Sequence, residues 1–448
     1  MCDYSKGRFP CMETTPEEQS RLLALLATHF TEQWLTATPE NGIQEVWQRD
    51  DLISTQELLS FAVAIEKMLA NDEKWTKEQI INAKSCNKNT ARGAWFEIVG
   101  LSYLVNSDYT VAPTKSNTPG IDAVLKWSND TTINLSLKRY DVSTHEMYFH
   151  TKMEQIEDVL KSSLHENGII GVKCSVIFNN YPKDTDYDAV KERVKRAITQ
   201  IAATPDKGVI MQHPNGSMEI SVVPLLAYDL SDRHNSYELI GLCKLHDNEF
   251  KNLTDKLDNA CANLRKHASD KCKKQLNGVF VHMHESVAMD LCCGHLTAYL
   301  ADISDNPIGF VWLYKPSLTR GEKGHCTKWS HVFMNVADKT IMNHWKCSGG
   351  KFPKFSVVYA SAIETTDIKQ TLLADDVEII LNDMYIFQRG NVYVNATREE
   401  DGSANCNLLH PAPGIHIHGV FKDTLNMKDG ERLTVFGRYA DYEKLTIL

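Results

Sequence analysis

Three consecutive segments decide the fold: ARGAWFEIVGLSYLV (residues 91–105), PGIDAVLKW (119–127) and TTINLSLKRY (131–140). Apolar residues recur at helical spacing in the first segment, and in the third they alternate with polar residues, as in a strand with one buried face. Between the second and third segments, Ser128-Asn129-Asp130 has the composition of a tight turn. We therefore predict a helix over residues 90–105, followed by an antiparallel hairpin.

One carboxylate interrupts the apolar face of the predicted helix. Glu97 lies among apolar residues that share one helical face: Ala94, Ile98, Leu101 and Val105. A buried, unpaired carboxylate costs several kcal/mol. Glu97 is therefore expected either to form an ion pair with Arg92 or to point into a polar cleft.

The predicted hairpin brings an acid and a lysine together. If Ser128-Asn129-Asp130 form the loop, Trp127 lies opposite Thr131 and Asp122 lies opposite Ser136. Directly opposed side chains have Cβ atoms about 5 Å apart. Because side chains alternate between the two faces of a strand, Lys138 is expected on the same face as Asp122.

These residues resemble the motif of the PD-(D/E)xK nuclease superfamily. Pro119-Gly120-Ile121-Asp122 matches the first half of the motif and Ser136-Leu137-Lys138 the second. Glu97 matches the acid that many members carry on the preceding helix. The resemblance covers about residues 85–180 and reaches 315 if the later strands complete the sheet. It implies an α/β fold of the restriction-endonuclease-like type, a mixed sheet flanked by helices.

The resemblance also implies an activity, the Mg²⁺-dependent hydrolysis of phosphodiester bonds in DNA, with Mn²⁺ able to substitute. Asp122 and Glu97 would hold the metal, and Lys138 would orient the attacking water or stabilise the transition state. Ser136 would contribute a hydrogen bond to a metal-bound water. Restriction or phage defence are roles that the resemblance suggests, and a homodimer is an arrangement that it allows.

Ser136 departs from the family pattern, which has Asp or Glu at this position. A serine hydroxyl is a weak, neutral ligand for Mg²⁺, which prefers carboxylates and water. Two outcomes follow from this departure: either Glu97 supplies the missing charge, or metal binding is lost. In the second case the chain would be an inactive nuclease fold that binds nucleic acid or serves assembly.

The rest of the chain predicts three regions. Residues 1–84 are predicted to be helical, with helices that begin at Thr15-Pro16-Glu17-Glu18 and at the capping box Ser54-Thr55-Gln56-Glu57. Residues 85–315 are predicted to form the nuclease-like core, and residues 316–448 a β-rich C-terminal domain whose strands are separated by turns.

Within the predicted core, a second capping box marks the start of a helix. Ser143-Thr144-His145-Glu146 begins this helix, so Glu146 is interpreted as a capping residue. The apolar run VKCSVIF (172–178) follows it and is predicted to be a buried strand, the central strand that the family resemblance requires after this helix.

Histidines and cysteines offer a second kind of site. Five residues have side chains that commonly bind zinc: His325, Cys326, His331, His344 and Cys347. They leave open a third hypothesis for the function, an unrelated α/β enzyme that binds zinc. His416 and His418 alternate in a predicted strand and are interpreted as surface or packing residues.

Composition limits the remaining classes. The chain has 448 residues, a net charge of −10 and 42% hydrophobic residues, which is typical of a globular protein. Twelve scattered cysteines and the lack of a secretion signal predict a reduced, cytoplasmic protein. The sequence contains no apolar run of about 18 residues, so no membrane span is predicted. It also contains no GxGxxG, Walker or GxSxG motif.

Overall fold

The computed structural model describes most of the chain up to residue 335 and selected strands beyond it. The described residues are 14–48, 52–105, 110–114, 120–128, 131–169, 171–205, 207–213, 216–224, 236–267, 275–284, 287–303, 306–321, 324–335, 369–374, 377–382, 384–389, 392–398, 404–409, 414–426 and 432–438.

Helices concentrate in the first two thirds of the chain. Within the described residues they are α1 (Pro16–Phe30), α2 (Glu32–Leu35), α3 (Gly42–Trp47), α4 (Leu52–Asn71), α5 (Glu73–Ala83), α6 (Lys88–Val105), α7 (Thr144–Asn167), α8 (Asp184–Ala203), α9 (Lys251–His267) and α10 (Met289–Asp302). None of these helices is long and apolar enough to cross a membrane.

Strands begin after α6 and continue to the C-terminal region. They are β1 (Thr110–Pro113), β2 (Ala123–Ser128), β3 (Thr131–Tyr140), β4 (Gly171–Phe178), β5 (Val209–Gln212), β6 (Met218–Pro224), β7 (Ser236–Lys244), β8 (Gln275–Met283), β9 (Phe310–Gly321), β10 (Gly324–Asn335), β11 (Lys369–Ala374), β12 (Val377–Asn382), β13 (Met384–Arg389), β14 (Val392–Arg398), β15 (Ala404–Leu409), β16 (Ile415–Asn426) and β17 (Arg432–Arg438).

The first sheet is mixed and has the strand order β1-β2-β3-β8-β9-β10. The pairs β1–β2, β2–β3 and β9–β10 are antiparallel, whereas β3–β8 and β8–β9 are parallel. Parallel neighbours need crossover connections, and α10 supplies one between β8 and β9. Together with the helices around it, this sheet confirms the predicted α/β class.

Two apolar layers cover the first sheet. On one side, α6 and the N-terminal helices form a core with Leu135, Leu137 and Phe280. On the other side, α9 and α10 pack against residues such as Val279 and Val281. The residues 279, 280 and 281 of β8 thus alternate between the two cores, as a strand buried on both faces requires.

The second sheet has the order β17-β16-β7-β4-β6-β5, and α7 and α8 pack against it. The predicted strand at 172–178 is confirmed as β4. It does not belong to the sheet that contains the hairpin, because β4 pairs with β6 and β7 in this second sheet. The neighbour of β3 is instead β8, which follows α9.

Capping residues set several helix starts. Thr15 accepts a hydrogen bond from the Glu18 backbone N, which confirms the predicted start of α1. Ser143 caps α7 in the same way through the Glu146 backbone N. The predicted start at Ser54 is wrong, because α4 already begins at Leu52.

The region from residue 316 onward contributes strands to both sheets. In the first sheet, β9 extends beyond residue 316 and β10 lies entirely after it. In the second sheet, β16 pairs with β7. The strands β11 to β15 form two small antiparallel sheets. The domain boundaries at 84 and 315 stay predictions, and the pairing of β16 with β7 crosses the second of them.

Candidate functional site

The hairpin of β2 and β3 has the predicted register over most of its length. Ala123 pairs with Leu135, and Lys126 pairs with Thr132. At the turn the prediction is wrong, because a bulge makes Ser128, and not Trp127, the partner of Thr131. The extra residue lies at the far end of the hairpin from Asp122, so the register beside Asp122 is unaffected.

Asp122 is held tightly at the start of β2. Its backbone N donates to the Leu135 carbonyl at 2.8 Å. Its Oδ2 accepts hydrogen bonds from the Leu137 backbone N at 2.6 Å and from Ser136 Oγ at 3.3 Å, and Lys138 Nζ lies 3.9 Å away. The other carboxylate oxygen, Oδ1, has no hydrogen-bond partner among the described residues. Asp122 therefore keeps one oxygen available for a ligand.

Ser136 and Lys138 differ in how they meet the site. Ser136 is fully buried, and its hydroxyl donates to Asp122. Lys138 is partly exposed, with 23% of its side chain accessible. Ser136 is therefore placed to orient Asp122, whereas Lys138 is placed to meet a bound molecule.

Glu97 lies on α6, which packs against the sheet that contains Ser136 and Lys138. The helix lies close to the sheet at Gly100, where an added Cβ would come within 3.2 Å of Leu137 and Phe280 side-chain atoms. Burial and the negative charge of Asp122 raise the pKa of Glu97 to about 8, and Lys138 lowers it in part. Glu97 is thus electrostatically coupled to both predicted site residues of the hairpin.

The alternative ion pair between Glu97 and Arg92 does not form. Arg92 Nη1 lies 3.8 Å from Asp141 Oδ1. Glu97 has neither a hydrogen-bond nor an ion-pair partner within the residues that the structure describes. Of the two outcomes that the sequence left open for Glu97, the structure excludes the ion pair with Arg92 and couples Glu97 electrostatically to Asp122 and Lys138.

Gly120 fixes the approach of the chain to Asp122, while Pro119 lies outside the described residues. Gly120 has φ +83°, a conformation that residues with a Cβ rarely adopt. An added Cβ would also lie 2.2 Å from Asn263 Cβ on α9. The loop before Asp122 therefore depends on glycine both for its backbone conformation and for its contact with α9.

We expect Gly120→Ala to destabilise the protein by more than about 2 kcal/mol, because backbone strain of about 1–2 kcal/mol adds to a steric clash. Gly168→Ala is the matched control, since Gly168 also has positive φ but nothing within 4 Å of its Cβ position. Urea unfolding measures both variants. Equal destabilisation by the two substitutions would contradict the clash with Asn263.

A cationic cleft of about 370 Å³ lies at the C-terminal end of β3. Arg92, Arg139 and Lys256 contribute positive charge to its lining, and Asp141 contributes one negative charge. Burial alone would raise the pKa of Asp141, but the guanidinium groups of Arg139 and Arg92 hold it well below its usual range. The cleft is therefore suited to an anionic ligand.

Sequence reasoning did not assign roles to Arg139, Asp141 or Lys256. The run Lys138-Arg139-Tyr140-Asp141 carried a signal, because two cations and an acid follow directly at the end of β3. Lys256 could not be found in this way, since α9 begins more than a hundred residues later.

The interpretations of three other residues change with the structure. The backbone of Glu146 is capped as predicted, but its side chain is 2% exposed and its Oε1 and Oε2 each lie 3.8 Å from an imidazole, those of His150 and His416. His416 and His418 are 1% and 0% exposed, so the surface interpretation of these histidines is wrong.

The proposed zinc ligands of the sequence are not tested by the structure. His325, Cys326 and His331 lie on β10, where the backbone alone is described. His344 and Cys347 lie outside the described residues.

Comparisons with known proteins leave the assignment to the geometry. The chain matches no model of a known protein family, and it matches no curated protein sequence.

Proposed function

We propose that this protein is a metal-dependent nuclease that hydrolyses phosphodiester bonds in DNA. The observation that carries the proposal is that Asp122 lies 3.9 Å from Lys138 and that both are electrostatically coupled to the buried Glu97. Two carboxylates near one another favour a divalent cation between them, and a lysine at the same point favours an anionic substrate.

The donor set fits Mg²⁺. Asp122 Oδ1 and the Glu97 carboxylate are oxygen donors without hydrogen-bond partners among the described residues. Mg²⁺ is usually bound by one or two carboxylates together with water and substrate oxygens. When bound, the ion would lower the pKa of a coordinated water and polarise the scissile phosphate.

Each residue of the chain then has a distinct task. Asp122, held by the Leu137 backbone N and by Ser136, is a preorganised ligand. Lys138 would donate to the phosphate oxygens as negative charge builds up in the transition state. Ser136 is a positioning residue, which differs from the predicted hydrogen bond to a metal-bound water.

The order of elements supports the restriction-endonuclease-like fold as part of the same proposal. α6 precedes the antiparallel strands β1, β2 and β3, and α9 leads into β8, which is parallel to β3. In this arrangement most of the second sheet is an insertion between β3 and α9. A helix that carries an acid, the hairpin, a further helix and then a strand come in the order that the resemblance implies, interrupted by that insertion.

The cleft offers a path for the substrate backbone. Arg139 follows Lys138 in β3, Arg92 lies five residues before Glu97 in α6, and Lys256 lines the same cleft from α9. Arginine and lysine side chains that contact phosphates supply most sequence-independent affinity for nucleic acid. A nucleic-acid strand bound in the cleft would lie at the end of β3, the strand that carries Lys138.

The experiment that tests the proposal incubates the tag-free protein with supercoiled DNA, linear DNA and RNA. We expect DNA cleavage with Mg²⁺ or Mn²⁺ and none with EDTA. Cleavage that survives EDTA, or cleavage of RNA alone, would contradict the proposal as stated.

Lys138→Ala tests the lysine separately. We expect this variant to cut DNA about 10²–10³-fold more slowly at saturating Mg²⁺, because it removes a donor to the developing charge. Lys126→Ala is the matched control, since Lys126 is an exposed lysine on the neighbouring strand. Single-turnover cleavage rates measure the effect, and equal rates for the two variants would exclude Lys138 from the reaction.

Nucleic-acid binding without cleavage is the second candidate function. Ser136, which stands in place of an acid and donates its hydroxyl to Asp122, favours it. In that case DNA would be retained equally with Mg²⁺ and with EDTA, no product would form, and Arg139→Ala would weaken binding.

A further inference from the structure

Three buried side chains from distant parts of the chain converge at a second point. Glu146 belongs to the first turn of α7, Glu249 precedes α9, and His416 lies on β16. They are 2%, 7% and 1% exposed. His416 Nε2 lies 3.3 Å from Glu249 Oε2, and His416 Nδ1 lies 3.8 Å from Glu146 Oε2.

Each of these residues is held by its surroundings. The Glu146 backbone N donates to Ser143 Oγ at 2.9 Å, and the Glu249 carbonyl accepts a hydrogen bond from the Tyr140 hydroxyl at 2.8 Å. His416 is fixed by the pairing of β16 with Cys243 on β7. The positions of the two carboxylates and the imidazole are therefore set by the fold.

The cluster has the character of an incomplete site. Burying two carboxylates close to one another is unfavourable unless positive charge compensates them. His416 Nδ1 is buried and has no hydrogen-bond partner within the described part of the chain. A cavity of about 10 Å³ lies between the three side chains, roughly the space of one water molecule or one ion.

We propose that Glu146, Glu249 and His416 bind a divalent first-row transition ion such as Zn²⁺ or Mn²⁺. One ligand atom from each residue lies within 4.8 Å of the others. Two ligands of one zinc ion lie at most about 4.2 Å apart, so inward movements of less than about 1 Å complete the site. The imidazole favours a transition ion over Mg²⁺ or Ca²⁺, which prefer oxygen donors.

Two further histidines, His150 and His418, are buried next to these three residues. His150 Nε2 lies 3.8 Å from Glu146 Oε1, and His150 Nδ1 lies 3.0 Å from His418 Nδ1. The carboxylate of Glu146 therefore lies between two imidazoles, those of His416 and His150.

The position of the site indicates a structural role. Tyr140 ends β3 in the first sheet, His416 lies in the second sheet, and Glu249 leads into α9. A bound ion would connect these three elements at the end of the strand that carries Lys138. This inference does not rest on the proposed nuclease activity, because it concerns different ligands.

The experiment measures metal binding by the full chain, stripped with EDTA and free of any tag. The background is Asp122→Asn, so that the candidate nuclease site does not contribute a second ion. We expect one equivalent of Zn²⁺ by equilibrium dialysis and elemental analysis, and weaker binding of Mn²⁺. Glu249→Gln and His416→Gln should each weaken Zn²⁺ binding by about 100-fold or more.

Glu157→Gln is the matched control. Glu157 is a buried carboxylate on α7, but it pairs with Lys161 at 2.6 Å. This variant should bind Zn²⁺ like its parent. Circular dichroism in EDTA shows whether each variant folds. If a variant does not fold, a second measurement on the parent protein tests the proposal without it.

That measurement is X-ray absorption at the zinc edge, which identifies the ligand atoms of bound zinc without any further substitution. We expect one imidazole together with oxygen donors. Absence of bound Zn²⁺, sulfur ligation, or undiminished binding by a folded Glu249→Gln or His416→Gln would each overturn the proposal. Sulfur ligation would point instead to the cysteines near residues 326 and 347.

Discussion

Asp122→Asn is expected to reduce DNA cleavage at least about 10³-fold while the protein remains folded. Asparagine has the same shape and keeps an acceptor for the Leu137 backbone N and for Ser136. What it loses is the negative charge that the proposed Mg²⁺ requires. Loss of a charged ligand removes the electrostatic contribution to transition-state stabilisation, which is the largest single term in many enzymes.

Single-turnover cleavage of supercoiled DNA across a range of Mg²⁺ concentrations measures this effect. Asp158→Asn is the control, because Asp158 is an exposed aspartate on α7. Ser136→Ala should reduce the rate only about tenfold, since it removes one hydrogen bond from Asp122 and leaves the charge. If Asp122→Asn cleaves as fast as Asp158→Asn, the nuclease site lies elsewhere.

Glu97→Gln is the second large expectation, and it has two measurable consequences. We expect cleavage to fall by about 10² or more, because the variant removes the second carboxylate of the proposed site. We also expect a change in how the stability of the metal-free protein depends on pH. The second consequence is independent of any substrate.

The direction of the pH effect follows from the proton that the folded state retains. In the unfolded chain Glu97 ionises near its ordinary pKa of 4.5, whereas burial and Asp122 raise its pKa to about 8 in the folded protein. The folded state therefore binds more protons between these values, and its stability decreases as the pH rises. Glu97→Gln has no such proton to lose.

Urea unfolding in EDTA at pH 5 and pH 8 measures the difference. Between these values the wild-type protein should lose on the order of 3 kcal/mol of unfolding free energy relative to Glu97→Gln. Titrations of other groups occur in both proteins and cancel in this comparison. A constant difference between the two proteins would show that Glu97 is not buried beside Asp122.

Local patterns were sufficient for the hairpin and its helix. The alternation in TTINLSLKRY sets which side chains share a face, and the pairing of Ala123 with Leu135 follows from it. The helix cap at Ser143 and the strand at 172–178 could likewise be predicted, because each depends on residues that are close in sequence. The bulge at Ser128 could not be predicted, since it depends on how the turn closes.

Partners in the sheets could not be predicted in the same way. β4 has the apolar character of a central strand, and that character is equally compatible with either sheet. Its place beside β6 and β7 is decided by packing against α7 and α8. For the same reason the sequence did not show that β8, far along the chain, lies next to β3.

By itself, the sequence determined the α/β class, the hairpin register beside Asp122 and the grouping of Asp122, Ser136 and Lys138, because these depend on local periodicity. The tertiary structure alone decided that Glu97 turns toward them and that Glu146, Glu249 and His416 meet in one buried cluster. Contacts between such distant residues arise only when helices and sheets pack together, and no local pattern in the chain encodes that packing.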